Sequence, residues 1–371
     1  PEWETTHQTI ANLLAQFRDA TRHDGYAEPI QFGETPMVPG DERLLGEILL
    51  PSLAKHRTMV KATLSDAWRA EGGTVSPERM TDAIETCLRN SSHLNQSFTL
   101  IHQLVSIAES NMVENNALKA LQHNVFTTPD QLERTLNTLQ LYDHFDPSPD
   151  RWLKCESGSA MQIFQQMYKS NSPGETPQLN VNRYTSLAPL LGQAGNMDVS
   201  DEEAAILKAQ DPRQAVQQMK ENYQQISELW KTGYPLVRTS DFSNGVEKKI
   251  AESGHPLVRM FMPSFSRAYH QTARNEASRR ATQLSYSVHL FKARNGRWPN
   301  SLDELPPEHG QVMKIDPFSG GYFNYRMTDN GPTIYTSSEN GRDDGGVHSP
   351  KWADNAQEGQ SDDFVFWPPQ K

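Results

Sequence analysis

The sequence has 371 residues, enough for two domains or one large one, and its 46 acidic and 35 basic residues give a formal net charge of −11. This charge argues against nucleic acid as a partner, because phosphate-binding surfaces need clustered Lys and Arg. No stretch approaches the roughly 18 consecutive apolar residues that a membrane-spanning helix needs. The sequence begins at Pro1 rather than Met, so we expect that a preceding segment has been removed.

Residues 1–254 show the pattern of a helical domain. Helix-capping sequences precede several apolar repeats, as at Ser76-Pro77, Thr128-Pro129 and Asp211-Pro212. Apolar residues then recur at steps of three and four, and no convincing strand pattern occurs before residue 320. Two segments, residues 24–41 and 170–200, contain too many Gly and Pro residues for helices. We expect these two segments to be binding elements or connectors, and the sequence does not distinguish the two.

The cysteines and histidines of this chain exclude the common metal and nucleophile motifs. Cys87 and Cys155 are the only cysteines and form no Cys-x-x-Cys pair, which excludes a zinc site built on thiolates. One disulfide and two free thiols both remain open. The twelve histidines show no His-Glu-x-x-His spacing, and we interpret His255 and His289 as packed or surface residues.

Residues 255–371 are predicted to form a second domain, of the α+β type. A long helix is indicated by apolar residues at steps of three and four: Ala273, Ala277, Ala281, Leu284, Val288 and Phe291. Gly296 and Pro299 end this helix. The pair Asn330-Gly331, flanked by strand-like residues, predicts a hairpin, and Phe364 to Trp367 supplies a third strand.

The order of these landmarks resembles a known family. A helix ends at Gly296-Arg297-Trp298-Pro299, Asp316-Pro317 opens a small sheet, and a Gly- and Asp-rich loop precedes the last strand. Over about residues 265–371 this is similar to the C-terminal domain of the major (G-type) pseudopilin of type II secretion systems. The resemblance implies a structural corner formed by Gly296, Trp298, Pro299, Asp316 and Pro317. The whole architecture resembles that of envelope proteins of planctomycete-like bacteria.

The same resemblance implies a calcium site in the acidic loop. Calcium prefers six to eight oxygen ligands, and the loop provides them in the family. The ligands carried over to this chain are Asn340, Asp343, Asp344, Asp362 and Asp363. The competing interpretation is a solvated acidic loop held by Asx turns, in which side-chain oxygens accept nearby backbone N–H groups.

These observations predict a non-enzymatic, extracytoplasmic envelope protein that contacts proteins of the secretion or surface machinery. We expect it to be periplasmic or on the cell surface, and tethered to a membrane only through a segment absent from this chain. Filament assembly is disfavoured, because the residues before the long helix, such as Val246-Glu247-Lys248-Lys249, are polar. The alternative is an envelope-polymer hydrolase or a ligand-binding module with a cleft between the two domains.

Overall fold

The computed structural model describes residues 2–24, 31–32, 48–50, 52–70, 72–141, 149–170, 172, 174–184, 201–262, 265–349, 352 and 361–370. Over these ranges the chain is mostly helical and carries small antiparallel sheets, which confirms the α+β class. No helix in the described ranges is long and apolar enough to cross a membrane. Most of the two segments predicted to be irregular lies outside the described residues.

The described residues of the first half of the chain are mostly helical. The helices are α1 (Glu2–Thr21), α2 (Leu53–Ala67), α3 (Pro77–Asn95), α4 (Leu100–Gln122), α5 (Pro129–Leu141) and α6 (Asp150–Met167). Two short antiparallel pairs accompany them, β1 (Gln31–Phe32) with β2 (Ile48–Leu49) and β3 (Tyr168–Lys169) with β4 (Gln178–Leu179). The expectation of no strand before residue 320 was therefore wrong, because two-residue strands are too short to produce a period-2 pattern.

The predicted capping residues begin their helices. Ser76 Oγ accepts the N–H of Arg79 at 3.2 Å, and Asp211 Oδ1 accepts the N–H of Arg213 at 3.0 Å. Both bonds satisfy amide groups that have no partner within the first helical turn. Helix α5 begins at Pro129, also as predicted. These helix starts are confirmed.

In the described part of the second half, three short 3₁₀-helices (Leu302–Glu304, Pro307–His309 and Val312–Lys314) and the main sheet accompany five longer helical segments. The longer segments are α7 (Asp201–Ala209), α8 (Pro212–Thr232), α9 (residues 239–251, with a π-helical turn at Phe242–Glu247), α10 (Pro256–Phe261) and α11 (Phe265–Asn295). The sheet orders β5 (Asn324–Thr328), β6 (Gly331–Thr336) and β7 (Phe364–Trp367) side by side, all antiparallel. The predicted hairpin and the predicted third strand are confirmed.

Two buried clusters form the interior, and α11 contributes to both. The first core joins α2, α3, α4 and α5 to residues 273–291 of α11 and to the sheet. The second core joins α6 through α10 to residues 265–269 at the start of α11. Each core therefore contains residues from both sides of the boundary predicted between residues 254 and 255. Whether the two parts fold separately stays a prediction.

The predicted apolar stripe of α11 is buried, from Ala273 to Phe291. Arg274, which lies outside this stripe, is only 7% exposed. Its guanidinium lies 5.6 Å from the ring centre of Trp352 and donates to the backbone oxygen of that residue. Helix α11 is thus covered on more sides than its apolar residues indicate.

Both cysteines are free thiols, and burial raises the pKa of Cys87.

The corner residues hold the end of α11 and the following turn in place. Gly296 adopts a φ of +71° at the end of the helix. The Tyr325 hydroxyl donates to the Pro299 backbone oxygen at 2.8 Å. Asp316 is 1% exposed, and its Oδ2 accepts the Thr336 hydroxyl at 2.7 Å. These contacts connect the residues after the helix to β5 and the turn at Asp316 to β6.

We expect Gly320→Ala to lower the free energy of unfolding by about 1–3 kcal/mol. Gly320 has a φ of +73°, which costs other residues roughly 1–2 kcal/mol, and an added Cβ would lie 3.0 Å from Cγ of Pro235. Gly321→Ala is the matched control, because its Cβ would meet only Ser319 Oγ at 3.7 Å. Urea unfolding of both variants makes the comparison, and equal losses would contradict this role for Gly320.

The burial of the His289 ring leads us to expect that the free energy of unfolding falls in acid. Its ring packs edge-on against Trp298 and Trp367, at centroid distances of 5.0 and 4.4 Å. Burial lowers the pKa of His289 to about 4. Because the unfolded chain binds this proton more readily than the folded one, the contribution of His289 is present above about pH 6.5 and declines towards pH 4.

His289→Phe should reduce the acid-dependent part of the unfolding free energy by about 2 kcal/mol between pH 6.5 and pH 4. The quantity compared is the slope against pH, so a uniform loss of stability in the variant does not affect the result. His123→Phe, at an exposed histidine, is the control with which the slope of the His289→Phe variant is compared. An unaltered slope for His289→Phe would contradict the neutral, buried state of this ring.

Candidate metal site

The acidic loop lies where β6 ends and β7 begins. These strands pair antiparallel, with Thr336 opposite Phe364. The residues that follow β6 are therefore brought beside the residues that precede β7, although the two segments are about twenty positions apart in sequence. This pairing places the loop at residues 337–346 next to Asp362 and Asp363.

Three of the five predicted ligands come together in this loop. One carboxylate oxygen from each of Asp344, Asp362 and Asp363 lies within 4.8 Å of the others. Asp362 is 1% exposed and Asp363 is fully buried, whereas Asp344 is half-buried. Carboxylates are seldom buried this completely unless something compensates their charge.

Each buried aspartate uses one carboxylate oxygen and leaves the other unpaired. Asp362 Oδ2 accepts the N–H of Asn340 at 2.9 Å. Asp363 Oδ2 accepts the N–H groups of Asp344 and Gly346, at 3.0 and 2.8 Å. The Oδ1 atoms of Asp362 and Asp363 are buried and accept no hydrogen bond from the described residues. A cation would satisfy both of these oxygens.

The electrostatics of the site favour a bound positive charge. Burial raises the pKa of Asp363 to about 6, and the nearby carboxylates of Asp343 and Asp344 add to this effect. Burial likewise raises the pKa of Asp362. The charged forms of both groups are thus disfavoured in the protein alone, and a cation between them would remove this penalty.

The other two predicted ligands have local partners. Asn340 Oδ1 accepts the N–H of Arg342 at 2.6 Å. Asp343 Oδ1 accepts the N–H of Gly345 at 2.8 Å and the Tyr335 hydroxyl at 2.9 Å. These are the Asx-turn bonds of the competing interpretation, and here they shape the loop around the three clustered aspartates.

The loop also contains one group that competes with a cation. Nε of Arg342 lies 2.8 Å from Oδ1 of Asp344. Asp344 would therefore exchange this ion pair for a metal bond, whereas Asp362 and Asp363 would not.

Gly341, Gly345 and Gly346 have φ values of +68°, +73° and +75°, so the glycines provide the backbone turns that the sequence predicts.

A connection between the loop and the helices was not predicted. The backbone oxygen of Glu339 accepts a hydrogen bond from the guanidinium of Arg238. The side-chain Oε2 of Glu339 lies 3.1 Å from Nδ1 of His270. The same His270 nitrogen lies 3.0 Å from the Thr239 hydroxyl. These residues are distant in sequence and form no motif. The only sequence signal for this role of Glu339 is its position one residue before Asn340.

The chain matches no protein-family model, and no curated protein or solved structure is significantly similar to it. The likeness to pseudopilins therefore depends on the residues quoted above and stays a prediction.

Proposed function

We propose that the acidic loop binds a calcium ion and that the ion stabilises the C-terminal sheet. The observation that supports this most directly is the pair of buried, unpaired Oδ1 atoms of Asp362 and Asp363. Calcium takes hard oxygen ligands and tolerates irregular geometry, which suits carboxylates joined by a turning backbone. Asp344, Asp362 and Asp363 would hold the ion, and loop carbonyl groups would complete its coordination.

We further propose that the protein is a non-enzymatic envelope protein outside the cytoplasmic membrane. Calcium sites of extracellular modules bind with dissociation constants of about 0.1–1 mM, which are useful only where calcium is abundant. In this role the protein would contact protein partners of the secretion or surface machinery. A segment outside this chain would tether it to the membrane.

The burial of α11 supports a role other than filament assembly. A filament would be built from exposed apolar helices, but residues 265–269 and 273–291 of α11 contribute to the two cores of this chain. The apolar surface of the helix is thus already buried within one molecule. A contact with partners would use other surfaces.

The hydrolase alternative stays a prediction. It requires a carboxylate or histidine of altered pKa in a concave site. Burial raises the pKa of Glu109 to about 7, and Glu109 Oε2 accepts the Asn90 side-chain amide at 2.7 Å. However, Glu109 is fully buried, so a polymer cannot reach it in this structure.

Calcium should raise the melting temperature of metal-stripped protein by several degrees. A ligand at 100 times its dissociation constant adds about 2.7 kcal/mol when it binds only the folded state. Asp363→Asn should abolish this rise, and it should not destabilise the metal-free protein, because it removes a buried charge. Melts with and without millimolar calcium make the test, with magnesium as the comparison ion.

Asp329→Asn is the control for this experiment, because Asp329 is exposed in the hairpin turn outside the cluster. It should respond to calcium as the unaltered protein does. A calcium response that survives in Asp363→Asn would place the ion elsewhere, and a complete lack of response would reject the calcium site.

The envelope role is tested by fractionating cells that express the full-length gene. We expect the protein in the periplasmic or membrane fraction, where added protease reaches it after the outer layers are opened. Recovery in the cytoplasmic fraction alone would reject an envelope role, whatever the outcome with calcium.

A further inference from the structure

Glu339, near the start of the acidic loop, is attached to two helices. Its backbone oxygen accepts a hydrogen bond from the guanidinium of Arg238, the residue directly before α9. Its side-chain Oε2 lies 3.1 Å from Nδ1 of His270, which belongs to the second turn of α11. The loop is therefore held by helical residues as well as by the strands on either side of it.

The contacts of Glu339 continue towards the buried cores through Thr239, the first residue of α9. The carboxylate of Glu339 bonds to the side chain and the backbone of Thr239. A carboxylate at the N-terminus of a helix is favourable, because the first N–H groups there lack helical partners. The Thr239 hydroxyl lies 2.5 Å from that of Tyr234, and Tyr234 packs against both cores.

On its other side, Glu339 is one peptide bond away from a contact with a proposed calcium ligand. The backbone N–H of Asn340 donates to Oδ2 of Asp362 at 2.9 Å. The carbonyl group of Glu339 and this N–H belong to the same peptide unit, which is planar and rigid. The unit thus contacts Arg238 with its oxygen and Asp362 with its nitrogen, so that neither contact can shift without the other.

We propose that Glu339 positions Asp362 for calcium and couples calcium binding to the attachment of α9. This inference rests on the proposed calcium site. An ion on Asp362 would fix the peptide unit between residues 339 and 340, and this unit would hold Arg238 and Thr239 in place. Because such coupling is reciprocal, detaching Glu339 from α9 must weaken calcium binding by the same factor by which calcium strengthens the attachment.

The size of the effect follows from the exposure of the contact. Couplings between two sites usually change an affinity by about 5- to 150-fold. The Glu339 side chain is 28% exposed, whereas that of His270 is 8% exposed. Since water reaches part of this contact, we expect a coupling of about fivefold, at the low end of the usual range.

Hydrogen exchange of the full chain, followed by mass spectrometry with and without calcium, tests the coupling. Calcium should slow exchange about fivefold in residues 239–247 of α9, in addition to residues 339–346 of the loop. In Glu339→Ala, the protection by calcium should remain in the loop and be lost from residues 239–247.

Calorimetric titration of calcium tests the positioning of Asp362. Glu339→Ala should weaken calcium binding about fivefold. Glu339→Gln should restore most of the affinity, because glutamine keeps a side-chain oxygen that can accept hydrogen bonds from Thr239. This variant has lost the negative charge of Glu339, so it separates positioning from simple attraction of the ion.

Glu252→Ala is the matched control for both experiments. Glu252 directly follows α9, its side chain is 66% exposed, and its carboxylate lies 3.9 Å from Nζ of Lys248 on the same helix. The affinity for calcium and the pattern of protection should equal those of the unaltered protein. If Glu339→Ala does not fold, the exchange pattern of the unaltered protein and the affinity of Glu339→Gln still decide the result.

Three outcomes would overturn the coupling and leave the calcium site in place. Protection confined to the loop in the unaltered protein would show that α9 does not respond to calcium. Protection of residues 239–247 that persists in Glu339→Ala would show a route that bypasses Glu339. Equal weakening in Glu339→Gln and Glu339→Ala would show that Glu339 acts only through its charge. No calcium binding to the unaltered protein would instead reject the calcium site, and this inference with it.

Discussion

The rest of the structure depends on the burial of α11, a helix of 31 residues. Small side chains such as Ala277 and Ala281 allow neighbouring helices to approach closely, while the polar groups of α11 bond to those neighbours. The Tyr286 hydroxyl donates to the Ala117 backbone oxygen at 3.0 Å, and the Gln283 amide donates to that of Leu139 at 3.3 Å. Such bonds satisfy several of the polar groups that a helix of mixed composition carries into the interior.

The acidic loop follows the opposite arrangement. Antiparallel pairing of β6 and β7 brings Asp362 and Asp363 against backbone N–H groups, yet one oxygen of each carboxylate is left without a hydrogen-bond partner among the described residues. The Asx turns and the calcium site, first considered as alternatives, are compatible in this geometry. Asn340 and Asp343 shape the loop, while the three clustered aspartates would provide oxygens for the proposed ion.

Local features of this fold were predictable from sequence, whereas contacts between distant segments were not. Helix starts such as Ser76-Pro77 and the hairpin at Asn330-Gly331 depend on a few neighbouring residues. The burial of Arg274 could not be predicted, because it depends on Trp352 rather than on the helical period. The pairing of Glu339 with His270 likewise requires the three-dimensional arrangement.

The sharing of α11 between two cores has a consequence for how this protein can be divided. A fragment that begins at residue 255 would retain Phe265 and Tyr269 but lose Trp152, Trp230 and the other rings that cover them. It would expose these aromatic side chains to solvent, and we expect it to self-associate through them. The C-terminal third therefore cannot serve as an independent module in another protein, unless that protein also buries the start of this helix.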